Sequence, residues 1–149
     1  MPTITSSLDC HLHLLQGRNL SVQDLTSSDP FVRVYLGSNN QADNDDYLFQ
    51  SRSKSQTVNP KFNEKFRITI TDPDLVARIL QSNDGAGGSF LLRIYDEDGM
   101  HGEDSMGYVQ VPIIVDSNNN EESTTTTCEW YAVQDGQGEL QVKLQVTVV

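Results

Sequence analysis

Basic residues are scarce in this chain. Ten lysines and arginines stand against 21 aspartates and glutamates in 149 residues, for a net charge of −11 and an isoelectric point near 4.4. That balance excludes nucleic acid as a ligand, because a basic footprint carries most of such affinity. It also excludes plain electrostatic attachment to an anionic membrane unless a cation reverses the local sign. Long apolar runs are missing: the longest aliphatic stretch, Ile113-Ile114-Val115, is far short of a membrane span. Cysteine is reduced to Cys10 and Cys128, too few for a disulfide framework, and both sit in strand-like segments as expected buried free thiols of a reducing compartment. The opening MPTITSSLDC lacks the basic-then-apolar pattern of a secretory signal, and Pro2 stands where myristoylation needs glycine, so a cytoplasmic location is expected. No Cys or His cluster has zinc-ligand spacing; His11 and His13 share a strand face and read as exposed bystanders. A nucleophile–base pairing, a phosphate-cradling glycine loop and a metal-hydrolase motif are likewise absent, so the chain is not read as an enzyme.

What the chain does have is alternation. LDCHLHLL sets Leu8, Cys10, Leu12 and Leu14 on one face against Asp9, His11 and His13 on the other. FVRVYL, FNEKFRITI, FLLRIY, YVQVPI and GELQVKLQVTVV repeat the pattern; with YLFQSRSKSQ and TCEWYAV the count reaches about eight strands. Helical periodicity is confined to DPDLVARIL, begun by Asp72-Pro73. Strands with one dry and one wet face predict an all-β, eight-stranded antiparallel β-sandwich, a single domain over residues 1–149 with its core at about 8–148.

The stretch YDEDGMHGEDSMG crowds Asp96, Glu97, Asp98, Glu103 and Asp104 into nine residues. Such crowding needs a counter-charge, and a hard cation taking six to eight oxygens is the suitable one, which is calcium. An EF-hand does not fit: counting from Asp96, Met100, His101 and Gly107 occupy positions that motif reserves for an acid, a glycine and a glutamate. A second acidic stretch, GRNLSVQDLTSSDPFVRVYL, carries Asp24 and Asp29, with Pro30 fixing the backbone at a strand start.

Together GRNL…D…SDPFVRVYL, TVNPKFNEKF and LRIYDED…GEDSMG resemble the C2 domain, the calcium-dependent membrane-binding sandwich of signalling and vesicle-trafficking proteins. The resemblance runs from about Leu8 to the C-terminus. It implies a Greek-key sandwich of the type II permutation, because the first strand leads directly into the first acidic loop. It also implies five calcium-ligating aspartates, Asp24, Asp29, Asp96, Asp98 and Asp104, aided by the backbone carbonyls of Leu25 and Glu97. His101 stands where several members have a small hydroxyl residue.

The implied function is binding of anionic, phosphatidylserine-type membrane by a monomer. Two calcium ions would nearly cancel the charge of the five carboxylates and bridge to headgroup oxygens. Leu25, Met100 and His101 are the expected membrane contacts, and Arg33, Arg52 and Lys54 form a candidate anionic-lipid patch. Two other readings are a calcium-independent C2-like protein-interaction domain and a calcium-dependent lectin. The first predicts losses among the five acids, and none is lost; the second wants sugar-stacking aromatics near the ion, and none is there.

Overall fold

A computed structural model describes residues 6–22, 28–38, 41–42, 46–82, 85–98, 102–116 and 123–149. The side chains at 38, 41, 42, 98, 102 and 103 lie outside that description, as do Asp24, Leu25, Met100 and His101 entirely. Nine extended segments and one helix follow in the order β1 (Leu8–Arg18), β2 (Pro30–Ser38), β3 (Gln41–Ala42), β4 (Phe49–Gln50), β5 (Lys61–Ile70), α1 (Pro73–Gln81), β6 (Ser89–Asp98), β7 (Gly102–Pro112), β8 (Thr124–Ala132) and β9 (Glu139–Val148).

They form two antiparallel sheets, ordered β5-β1-β9-β8 and β3-β2-β6-β7, with β4 also pairing to β2. Alternation decides which face is dry. Leu8, Cys10, Leu12 and Leu14 of β1 are buried, as are Val32 and Val34 of β2, Phe90, Leu92 and Ile94 of β6, and Leu140, Val142, Leu144 and Val146 of β9. Each fully buried aliphatic side chain contributes about 1.5–3 kcal/mol, so the two inner faces hold the sandwich together.

The eight expected strands are all present, with one much shortened. Over Tyr47–Gln56 only Phe49–Gln50 joins the ladder, because the following backbone leaves it to bond the β2 entry: Ser51 N–H donates to Val32 O, Lys54 N–H to Pro30 O and Thr57 N–H to Ser28 O. The helix begins where expected, with the Asp72 carboxylate capping the Asp74 N–H at 3.0 Å and Leu75, Val76 and Ile79 turned into the core. One expectation is corrected: Cys10 is buried, but Cys128 is exposed, since it lies on the wet face of the edge strand β8, opposite Lys143.

Candidate functional site

The acidic stretch is less of a loop than its composition suggests. Strand β6 runs through to Asp98 and β7 begins at Gly102, so the carboxylate-bearing residues are rungs of a hairpin: Asp96 opposite Asp104, Glu97 opposite Glu103, Asp98 opposite Gly102. Directly opposed residues have Cα atoms about 4.5–5.5 Å apart, and facing like charges destabilise a ladder. Two consecutive rungs therefore pair acid with acid.

A bulge sets the phase of that hairpin. Ile94 pairs with Gly107 and Tyr95 with Ser105, leaving Met106 as the extra residue. Above the bulge Val109 and Val111 pair with Leu92 and Phe90 and face the core; below it the parity of β7 changes, and Asp104 lands on the same face as Asp96. Without the extra residue Ser105 would oppose Asp96, and Asp104 would turn to the other face. Gly107 makes the bulge possible: its φ is +104°, and a Cβ there would come within 2.5 Å of the Gln134 carbonyl.

Asp96 continues the inward parity of Ile94 and is fully buried. Its Oδ1 accepts the Asp29 N–H at 2.8 Å, while the Glu97 N–H donates to the Asp29 carbonyl at 3.0 Å. The Asp29 carboxylate is held from the far side by the Gln56 N–H, 2.6 Å from Oδ1. Its second oxygen makes no hydrogen bond among the described residues. Asp29, Asp96 and Asp104 thus stand side by side at the adjoining ends of β2, β6 and β7. An extended residue's N–H and C=O leave on the same side, so the Glu97 carbonyl faces β2 as its N–H does.

The TVNP segment positions the first acidic stretch from both flanks. Gly17 N–H donates to Pro60 O at 2.8 Å, Leu20 N–H to Val58 O at 3.0 Å and Asn19 N–H to the Asn59 side chain at 2.9 Å, while Thr57 N–H reaches Ser28 O at 2.8 Å. One short segment therefore fastens both the departure and the return of the chain between β1 and β2. Sequence reasoning missed this role, as it missed Gln56; the contacts join residues 27 to 43 positions apart, and no local pattern marks them. It also missed Val22, an apolar side chain 52% exposed at the flank of the first acidic stretch.

Among the described residues no group of three or more His, Cys, Asp or Glu side chains closes around a point that could hold a metal ion. The carboxylates that are described, Asp29, Asp96 and Asp104, are hard oxygen donors on three neighbouring strand ends, the donor type calcium prefers, and no cysteine or histidine stands among them.

The three basic candidates run along β2 and the segment beside it, with Lys54 at the acidic end. Arg33, on the outer face of β2, lies 4.9 Å from the Tyr47 ring, 5.1 Å from Tyr95 and 5.3 Å from Phe31, and its Nε donates to Gln50 Oε1 at 2.9 Å. Arg93 is directly opposite it on β6 and lies over the Tyr35 ring at 4.6 Å. The rings offset the repulsion between two facing guanidiniums. Arg52 is exposed, its backbone N–H donating to Glu64, and Lys54 is half-buried beside the β2 entry.

The profile of the C2 domain family matches residues 9–133. The chain belongs to the C2 domain family. A curated relative, Protein C2-DOMAIN ABA-RELATED 4 of Arabidopsis thaliana, is 33% identical over 118 residues, which is 75% of this chain and 55% of that protein. The chain spans about half the length of the curated relatives it matches, 48% and 55% for two of them. Among solved structures, a C2 domain of plant Extended Synaptotagmin 1 superposes with a TM-score of 0.62 at 18% identity, covering 91% of each chain. The calcium-bound pair of C2 domains of Extended-Synaptotagmin 2 gives 0.66 at 19% identity, over 98% of this chain and 47% of that one. At those identities the likeness speaks for the C2 fold.

Proposed function

We propose that this C2 domain is a calcium-dependent module for anionic phospholipid surfaces, a binding protein and not a catalyst. The observation that carries the reading is the placement of Asp29, Asp96 and Asp104 on adjoining strand ends, with two rungs of like charge whose repulsion a bound cation would offset. Asp24 and Asp98, the backbone of Leu25 and the Glu97 carbonyl complete the proposed ligand set. When bound, two calcium ions would supply positive charge and open positions for headgroup oxygens.

The chain's own residues prepare that end. The Asp29–Asp96 bond and the Gln56 contact hold two carboxylates in place before an ion arrives, so little ordering is left to be done on binding. Without a cation the net charge of −11 repels a phosphatidylserine surface. Calcium and lipid then favour each other reciprocally. Leu25, Met100 and His101, joined by exposed Val22, are the proposed apolar and polar contacts with the membrane. Arg33, Arg52 and Lys54 remain the candidates for a lateral headgroup contact. The direct run from β1 into the first acidic stretch supports the type II permutation. A cytoplasmic monomer that joins membranes peripherally, in signalling or vesicle traffic, is the corresponding cellular reading; no described helix is long and apolar enough to cross a membrane.

A second reading is a calcium-independent interaction domain. It draws on the same geometry, since backbone N–H donors already occupy one oxygen of Asp96 and one of Asp29 with no ion required. Co-sedimentation with phosphatidylserine vesicles separates the two. The main reading expects calcium-dependent pelleting that Asp98→Asn weakens at least tenfold; calcium-independent or absent pelleting of the unmodified chain sinks it.

A further inference from the structure

The wet face of the β5-β1-β9-β8 sheet carries a feature that the acidic end does not explain. Strand register sets Lys65 of β5 and Lys143 of β9 on either side of His13 of β1, each directly opposite it. Above this row lies a depression of about 180 Å³ lined by His11, Leu12, His13, Lys65, Lys143 and Gln145. In a chain with twice as many acids as bases, these lysines would be expected to find carboxylate partners, yet no ion pair engages either of them among the described residues.

The Asp9 carboxylate on this face is already used. It takes a two-pronged contact from Arg67, at 2.9 and 3.1 Å, and a 3.4 Å approach from His11. The His13 ring is fixed by its Nε2 at 2.6 Å from the Asn63 side-chain oxygen. Because that oxygen is an acceptor, the ring proton belongs on Nε2, and the bond to Asn63 limits rotation of the imidazole. The charged groups around it are then Lys65 and Arg67 from β5, Lys143 from β9, and His11 and Asp9 from β1 itself. Two ammoniums lie two strand spacings apart, about 10 Å at the backbone. Flexible four-carbon stems let them converge on one anion or stay apart at a cost in repulsion.

We propose that this depression binds a phosphate group, clasped by Lys65 and Lys143 from either side above His13. The phosphate belongs to a soluble molecule or to a lipid headgroup; the position favours the soluble source. Arg18 at the acidic end lies five positions along β1 from His13, roughly 17 Å along the strand. A membrane lying against that end does not reach the flank. The site is independent of the calcium reading and operates without the ion.

The test is a titration of isotopically labelled protein with inorganic phosphate, without calcium and with chloride exchanged to keep ionic strength constant. Saturable shifts of the His13, Lys65 and Lys143 amides are expected, with affinity at least tenfold weaker in the Lys65→Gln/Lys143→Gln variant. Both lysines are on the wet face, so the variant keeps the core, and an unchanged thermal melt verifies it. A linear drift without saturation, or equal affinity in the variant, overturns the proposal. A second arm uses calcium-free vesicles containing phosphatidic acid. Once inorganic phosphate saturates, pelleting lost in the variant assigns the phosphate to lipid, and absence of pelleting assigns it to a soluble ligand.

Discussion

The Asp29 backbone N–H donates to Asp96 Oδ1 across 2.8 Å, joining two acidic motifs that lie 67 residues apart. The bond needs only an acceptor oxygen, whereas cation binding needs the charge. Asp96→Asn therefore keeps the fold and its calcium-free melting temperature but loses the response to calcium. If the proposed site binds calcium, a concentration a hundredfold above its dissociation constant adds about 2.7 kcal/mol to the unmodified chain, which for this size raises Tm by about 5–10 °C. Thermal melts with and without calcium check both halves.

Asp96→Ala is a different experiment. It removes the acceptor and leaves the Asp29 amide without that partner beside a fully buried position. A loss of about 1–3 kcal/mol is expected in urea unfolding, with or without calcium.

Gly107→Ala tests the bulge. The positive φ and the nearby Gln134 carbonyl both oppose a side chain, so destabilisation of about 2 kcal/mol or more is expected. Because the bulge phases Asp104, the proposed calcium site predicts weaker calcium binding by the surviving folded fraction, measurable by titration calorimetry.

The two thiols separate cleanly. Burial, aided by the charge of Asp9, pushes the Cys10 pKa up to about 12, while Cys128 is exposed. At pH 8 the native chain therefore releases one equivalent of thiol to an aromatic disulfide reagent, and the unfolded chain releases two.

Asp9 supplies a pH dependence. The hydrogen bond from Arg67 lowers its pKa below the ordinary 3.8, with the Arg67 and His11 charges adding to the effect against a burial penalty. A depressed carboxylate stabilises the fold above its unfolded pKa and ceases to do so as pH falls through the folded value. The stability gap between the unmodified chain and Asp9→Asn is thus present at neutral pH and closes as pH falls below 3.8. Urea unfolding across the acid range follows it, and added salt narrows the gap because Arg67 is exposed.

Much of this molecule could be read in period-two alternation, because one dry face per strand dictates which of Leu8, Cys10, Leu12 and Leu14 go inward. The Asp72-Pro73 cap was equally local and equally readable. What alternation could not reveal is a change of phase. Asp104 differs in parity from Val109, and only the bulge at Met106 brings it to the Asp96 face. Cys128 misled for a related reason: strand membership was correct, but its parity on an edge strand places it in water. The Gln56 and TVNP contacts lay beyond any sequence window, since they depend on tertiary proximity alone. His11 and His13, read as bystanders, gain interest only once register sets lysines on both sides.

Facing acids end the β6–β7 hairpin, while Ile94 and Val109 beneath them are fully buried in the core. On the proposed calcium reading, the Glu97 and Asp104 amides exchange faster in ion-free buffer than with calcium, with mid-sheet amides indifferent to either condition. Ions would register as a change in how often one end breathes, with the overall shape left as it was.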